Sequence, residues 1–154
     1  MDIVEMVKGA YEGSFEIADL ITRDKNELLL KLANELLAHK EEIFAANNED
    51  VLLAKEKNLQ EALVDRLKFN ESRFLEMVDG VRKVAALPDP VGEIYDGHTV
   101  ESTLTLYKKR VPLGVVGVIY EARPNVTIDI ASLCLKSGNA CVLRGGKEAL
   151  KTNL

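Results

Sequence analysis

From Arg110 to Asn153 the chain alternates short apolar runs with turn-forming loops, an order expected of a parallel α/β unit. RVPLGVVGVIYEARPNV is followed, after one helical stretch, by SGNACVLRGGKEALKTN. Val115 to Tyr120 is apolar and rich in β-branched residues, the composition of a strand buried on both faces. Pro124 and Asn125 open a helix running to about Ser137, and Gly138-Asn139 supply residues suited to its C′ end. Ala140 to Leu143 reads as a second buried strand, after which Gly145-Gly146 turn the chain into a helix beginning near Lys147. Two such strands joined by a helix are expected to be parallel, with a right-handed crossover.

The front of the chain reads as helices. From Asp24 to Phe44, Leu28, Leu29, Leu32, Leu36, Leu37, Ile43 and Phe44 fall on one helical face, and Asp24 with Glu27 forms a capping-box-like start. A second clear helix runs from Asn70 to Leu87, with Phe74, Leu75, Val78, Val81 and Ala85 inward, and Pro88 and Pro90 end it. An earlier amphipathic segment spans Ile3 to Ile21, and residues 47–69 hold one or two short helices. Between the helices and the α/β unit, Asp96-Gly97 carries the signature of a tight hairpin turn. From Thr99 to Val111 the chain alternates, with Val100, Leu104 and Leu106 on one face and Thr99, Glu101, Thr103 and Thr105 on the other. That pattern predicts a half-exposed strand long enough to project.

At 154 residues and 47% hydrophobic content this is one domain by length. No window approaches the roughly eighteen apolar residues of a membrane helix, and no apolar run near the start suggests a secretory signal. A cytoplasmic location is expected. Cys134 and Cys141 lie in apolar contexts and read as packing residues without a helix N-terminus or cation to activate them. His39 and His98 are the only histidines, so no metal site is expected. Charge is uneven: residues 1–99 carry 12 Lys+Arg against 21 Asp+Glu, whereas residues 100–154 carry 8 against 4. A basic back half suits a phosphorylated small molecule or is simply an uneven solvated surface. Nucleic acid is disfavoured by the acidic total.

Ligands of open parallel sheets bind beyond the carboxyl ends of the strands. Two loops qualify, Glu121 to Asn125 and Arg144 to Lys147. Each carries a cation and leads into a helix, whose amides and dipole favour anions. Asn125 could equally be the N-cap of a helix starting at Val126, and Arg144 and Lys147 could be plain surface cations.

The Glu121-Ala122-Arg123-Pro124-Asn125 and Arg144-Gly145-Gly146-Lys147 segments resemble those of the γ-glutamyl phosphate reductase (glutamate-5-semialdehyde dehydrogenase) family of the aldehyde dehydrogenase superfamily. The resemblance implies an α/β chain: a helical front over residues 1–90, a projecting β-hairpin over 92–111, and from 112 to 154 the first βαβ unit of an incomplete Rossmann-type NADP-binding domain. It implies that the Asn125 amide donates to the oxyanion of a thiohemiacetal. General family members place a carboxylate at the fourth position of the second loop; here Lys147 stands there. With Arg144 it would bind a 2′-phosphate, so NADPH is the implied cofactor, with Gly145 and Gly146 permitting close backbone approach.

The implied substrate is γ-glutamyl phosphate, reduced to glutamate 5-semialdehyde in proline biosynthesis. The resemblance is to the stand-alone form and not to the one fused to a glutamate kinase. The hairpin is either the family's subunit contact, making a homo-oligomer, or an ordinary edge hairpin. The family's nucleophilic cysteine is expected beyond Leu154, so the chain is expected to be an inactive N-terminal portion. The rival readings are an NAD-dependent aldehyde dehydrogenase portion and a non-catalytic nucleotide- or subunit-binding chain.

Overall fold

The computed structural model describes residues 2–101 and 104–154. Five helices form the front: α1 (Ile3–Asp19), α2 (Thr22–Ala38), α3 (Lys40–Glu56), α4 (Glu61–Leu67) and α5 (Glu71–Ala86). An antiparallel pair follows, β1 (Ile94–Val100) and β2 (Leu104–Lys109). The parallel pair β3 (Val115–Ile119) and β4 (Ala140–Arg144) flanks α6 (Pro124–Lys136), and a single 3-10 turn at Lys147–Ala149 leads into α7 (Leu150–Asn153). Val115 pairs with Ala140 and Ile119 with Arg144, so the parallel arrangement read from the sequence holds.

The main core joins Leu29, Ala33 and Leu36 of α2 to Phe74, Met77, Val78, Val81 and Ala85 of α5. Phe74 is fully buried and meets the rings of Phe44 and Phe69 at centroid distances of 5.4 and 6.2 Å. A smaller cluster matters more for the site. Val51 and Ala54 of α3 and Leu67 of α4 pack against Ala122 and Ala149, which lie in or just after the loops that follow β3 and β4. The two loops therefore rest on the front helices.

Several boundaries differ from the sequence reading. The apolar stripe from Asp24 to Phe44 belongs to two helices that bend at His39. The stripe continues through the bend because Leu36, Ile43 and Phe44 all serve the same core. There is no capping box. The N-cap of α2 is Ile21, which makes no side-chain cap bond, and Asp24 lies within the first turn, accepting from Arg23. The helix starts earlier because Thr22 and Lys25 are drawn onto Asp89 by hydrogen bonds. Asp96-Gly97 is not a hairpin turn but a bulge inside β1: the register slips by one between Tyr95 and His98, and Asp96 has φ 54°. The expectation for Thr103 lies outside the described residues. Both faces of β1 and β2 are exposed, not one, because the arm stands clear of the body. Neither β3 nor β4 is covered on both faces; Ile119 remains 77% exposed.

Candidate functional site

Both loops singled out from the sequence lie at the carboxyl ends of the parallel strands and touch each other. The Tyr120 amide donates to the Arg144 carbonyl at 3.1 Å. The Tyr120 hydroxyl is 2.6 Å from Thr127 Oγ1, which in turn donates to Asn153 Oδ1 at 2.9 Å. A Cβ at Gly145 would fall 3.2 Å from the Tyr120 ring, and one at Gly146 3.3 Å from the Ala122 amide nitrogen. The glycine pair thus admits close approach by the chain's own first loop.

The first loop opens α6 with Arg123 as N-cap and Pro124 in the first turn, where a missing N–H costs nothing. Asn125 is accordingly not the N-cap that its residue type suggested. It lies inside the first turn, and its Nδ2 donates to Asp129 Oδ2 at 2.9 Å, one turn on. Burial pushes the Asp129 carboxyl above the usual aspartate range, against the lowering influence of the Asn125 hydrogen bond.

These two residues line a cleft of about 420 Å³ with Arg66, Lys68, Arg73 and Arg123. Two of the cations are already engaged: Arg73 donates to the Asp65 and Lys68 carbonyls and pairs with Asp65 Oδ2 at 2.9 Å, and Arg66 lies 3.6 Å from Glu121. Lys68 and Arg123 are exposed, and among the described residues their side chains have no hydrogen-bond or ion-pair partner. Sequence reasoning found Arg123 and Asn125 but missed Arg66, Lys68 and Arg73. They stand on α4, the following turn and α5, where no motif flags a charged face; only the packing of α4 under the first loop brings them there.

The second loop borders another cleft of about 420 Å³ with Arg144, Gly145, Gly146 and Lys147. Arg144 and Lys147 are exposed and unpaired among the described residues. Lys147 also borders a groove of about 360 Å³ shared with Lys57, the C-cap of α3 and a second cation the sequence did not flag. The helix expected from Lys147 is a 3-10 turn and then the short α7. Its amides are held from outside: Asp50 of α3 accepts from the amides of Lys151 and Thr152 at 3.2 and 2.8 Å.

The cysteines are not activated. Burial, and next the neighbouring Cys141, push the Cys134 thiol up to about 11, and burial raises Cys141 as well. No cluster of His, Cys, Asp or Glu among the described residues could hold a metal ion, and no helix is long and apolar enough to cross a membrane.

Comparison with known proteins gives the geometry a context. Over 149 residues, 97% of its length, the chain is 53% identical to the γ-glutamyl phosphate reductase of Cronobacter sakazakii. It is 51% identical over all 154 residues to that of Photobacterium profundum. The chain is homologous to the N-terminal part of γ-glutamyl phosphate reductases. It spans 36% and 37% of the lengths of those two reductases. The crystal structure of the Thermotoga maritima reductase superposes with a TM-score of 0.93 at 42% identity, covering 99% of this chain and 37% of that one. The Saccharomyces cerevisiae reductase gives 0.92 at 36% identity, covering 96% and 38%. A putative aldehyde dehydrogenase from Bacillus subtilis gives 0.65 at 16% identity, covering 97% and 32%, a likeness of fold alone. No family model matches the chain.

Proposed function

We propose that the chain carries part of the substrate and cofactor sites of an NADPH-dependent reductase that converts γ-glutamyl phosphate to glutamate 5-semialdehyde and phosphate in proline biosynthesis. The observation that carries this is the cleft around Asn125, where an amide donor sits among four cations, of which two, Lys68 and Arg123, are unpaired among the described residues. Asn125 donates to the oxygen on which charge develops when the acyl carbon becomes tetrahedral, an interaction that strengthens in the transition state. Lys68 and Arg123 attract the phosphoryl and carboxylate groups of the substrate.

Arg144 and Lys147 fit a 2′-phosphate. Both are free to pair, and the loop that holds them lies at a strand's carboxyl end. When bound, NADPH supplies the hydride. Within these 154 residues no thiol is poised to attack, since Cys134 is pushed up to about 11, so the chain by itself is expected to bind and not to turn over. The arm formed by β1 and β2 reads as a contact between subunits, because Ile94, Tyr95, Leu104, Leu106 and Tyr107 are all exposed on it.

The test uses a full-length reductase carrying the same loops. Asn125→Ala should lower kcat by about 10²–10³-fold. Lys147→Glu should weaken NADPH more than NADH, by roughly tenfold or more, because a charge-assisted contact is lost and a repelling carboxylate gained. Unchanged turnover in the first variant removes Asn125 from the chemistry. Equal losses for both cofactors in the second remove Lys147 from phosphate recognition.

A further inference from the structure

We propose that Asp129 is a positioning residue that locks the Asn125 side-chain amide, holding its nitrogen edge in one orientation and leaving its second N–H as the free donor in the cleft. The inference rests on the reading of Asn125 given above. An asparagine amide can turn over and exchange its oxygen for its nitrogen at little steric cost. An oxyanion donor in which the oxygen faces the developing charge would repel it. Asp129 removes that ambiguity: an ionised carboxylate accepts and never donates, so only the nitrogen of Asn125 can sit 2.9 Å from Asp129 Oδ2.

The one-turn spacing makes the contact intrinsic to α6, since side chains four residues apart share a helical face. The second carboxylate oxygen, Oδ1, faces Gly80 of α5, where a Cβ would lie 3.9 Å away. The contact thus lies on the side of α6 that faces α5. An amide has two N–H groups, and Asp129 takes one. The other belongs to a side chain that lines the same cleft as Lys68 and Arg123. Asp129 itself is only half-buried, and Glu76 and Arg73 of α5 share the cleft with it.

Three variants of a full-length reductase with this segment, Asn125→Ala, Asp129→Leu and Asp129→Asn, separate the possibilities. Asp129→Leu should lower kcat by roughly 10–100-fold, because a misplaced catalytic group costs on that order, while KM for the acyl phosphate stays within about twofold. Asp129→Asn keeps an oxygen that can accept from Asn125 but adds an N–H that admits the turned-over amide, so its kcat should fall by about 2–5-fold, less than in Asp129→Leu. Full kcat in Asp129→Leu, a change confined to KM, or equal damage from both Asp129 variants would each overturn the proposal. If Asn125→Ala leaves kcat unchanged, the oxyanion reading fails.

The positioning contact is read separately by NMR on the 154-residue chain, which also decides the matter should Asp129→Leu not fold. The Asn125 side-chain amide should shift with the same midpoint as the Asp129 carboxyl carbon, above the usual aspartate range. Repeating the titration in Glu76→Gln excludes the neighbouring carboxylate as the cause. An amide that ignores the Asp129 titration refutes the lock.

Discussion

Replacing Asp89 by Asn should destabilise the chain severely, and the reason lies in what surrounds its carboxylate. Lys25 Nζ is 2.9 and 3.2 Å from the two oxygens, Thr22 Oγ1 donates at 2.9 Å and the Val91 amide at 2.9 Å. The Lys25 side chain is 1% exposed and that of Asp89 11%. An asparagine oxygen can still accept from Thr22 or Val91, so the main loss is the counter-charge of a buried ammonium. Stranding one member of such a pair costs about 3–5 kcal/mol, or roughly 6–20 °C in Tm for a chain of this size. Lys136 adds to the cost. It is 3% exposed and bonded to Asn26 Oδ1 and the Ala85 carbonyl, and burial lowers its pKa while Asp89 opposes that lowering.

Urea unfolding followed by circular dichroism measures the effect, with Lys25→Met and the double variant completing a cycle. The double variant should be more stable than Asp89→Asn alone, with a coupling of at least about 1 kcal/mol. Burial raises the Asp89 pKa, but the Val91 amide, Lys25 and Thr22 together hold it below 3.8. Its stabilisation is therefore complete above the ordinary aspartate pKa and is lost as pH falls through the lower folded value. A loss under about 0.5 kcal/mol for Asp89→Asn, or strict additivity in the cycle, would refute the reasoning.

Two further outcomes follow from the backbone and the sheet. Gly138 has φ +74°, and a Cβ there would lie 2.9 Å from Pro112 Cγ and 3.2 Å from Val91 Cγ2. Gly138→Ala should therefore cost about 1–3 kcal/mol in thermal denaturation, and a neutral result would show that the turn after α6 relaxes freely. Hydrogen exchange should be slower in α2 and α5, which form the main core, than in β3 and β4, whose faces are incompletely covered. Equal protection in a dilute monomer would show that the parallel pair needs no further cover.

The sequence was most legible where local chemistry and tertiary role agree. β3, α6, β4 and the two loops between them follow from apolar runs punctuated by Pro124, Gly138 and the Gly145-Gly146 pair. It misled where one signal serves two structures. Asp-Gly marks a hairpin turn and also a bulge, and only the strand register shows that Asp96 belongs to the latter. The apolar period of α2 passes through His39 unbroken because a single core lies beneath both helices. The residues no pattern could disclose are those brought in by packing: Lys68 and Arg73 to the first cleft, Lys57 to the second groove, and Lys25 to Asp89, 64 positions away. Asn125 was flagged, but its hydrogen-bond partner was not, since Asp129 reads as an ordinary polar position on a helix.

One turn of α3 has a wider reach than its length suggests. Asn47, 1% exposed, donates to the Leu67 carbonyl and accepts from the Phe69 amide, gripping the chain on both sides of Lys68. Three residues on, Asp50 grips the start of α7, just beyond Lys147. The cations facing the first cleft and those facing the second are therefore moored to a common pier. A tilt of that turn would carry Lys68 and Lys147 together, so the spacing between the two clefts is set by a helix that contributes no charge to the first of them.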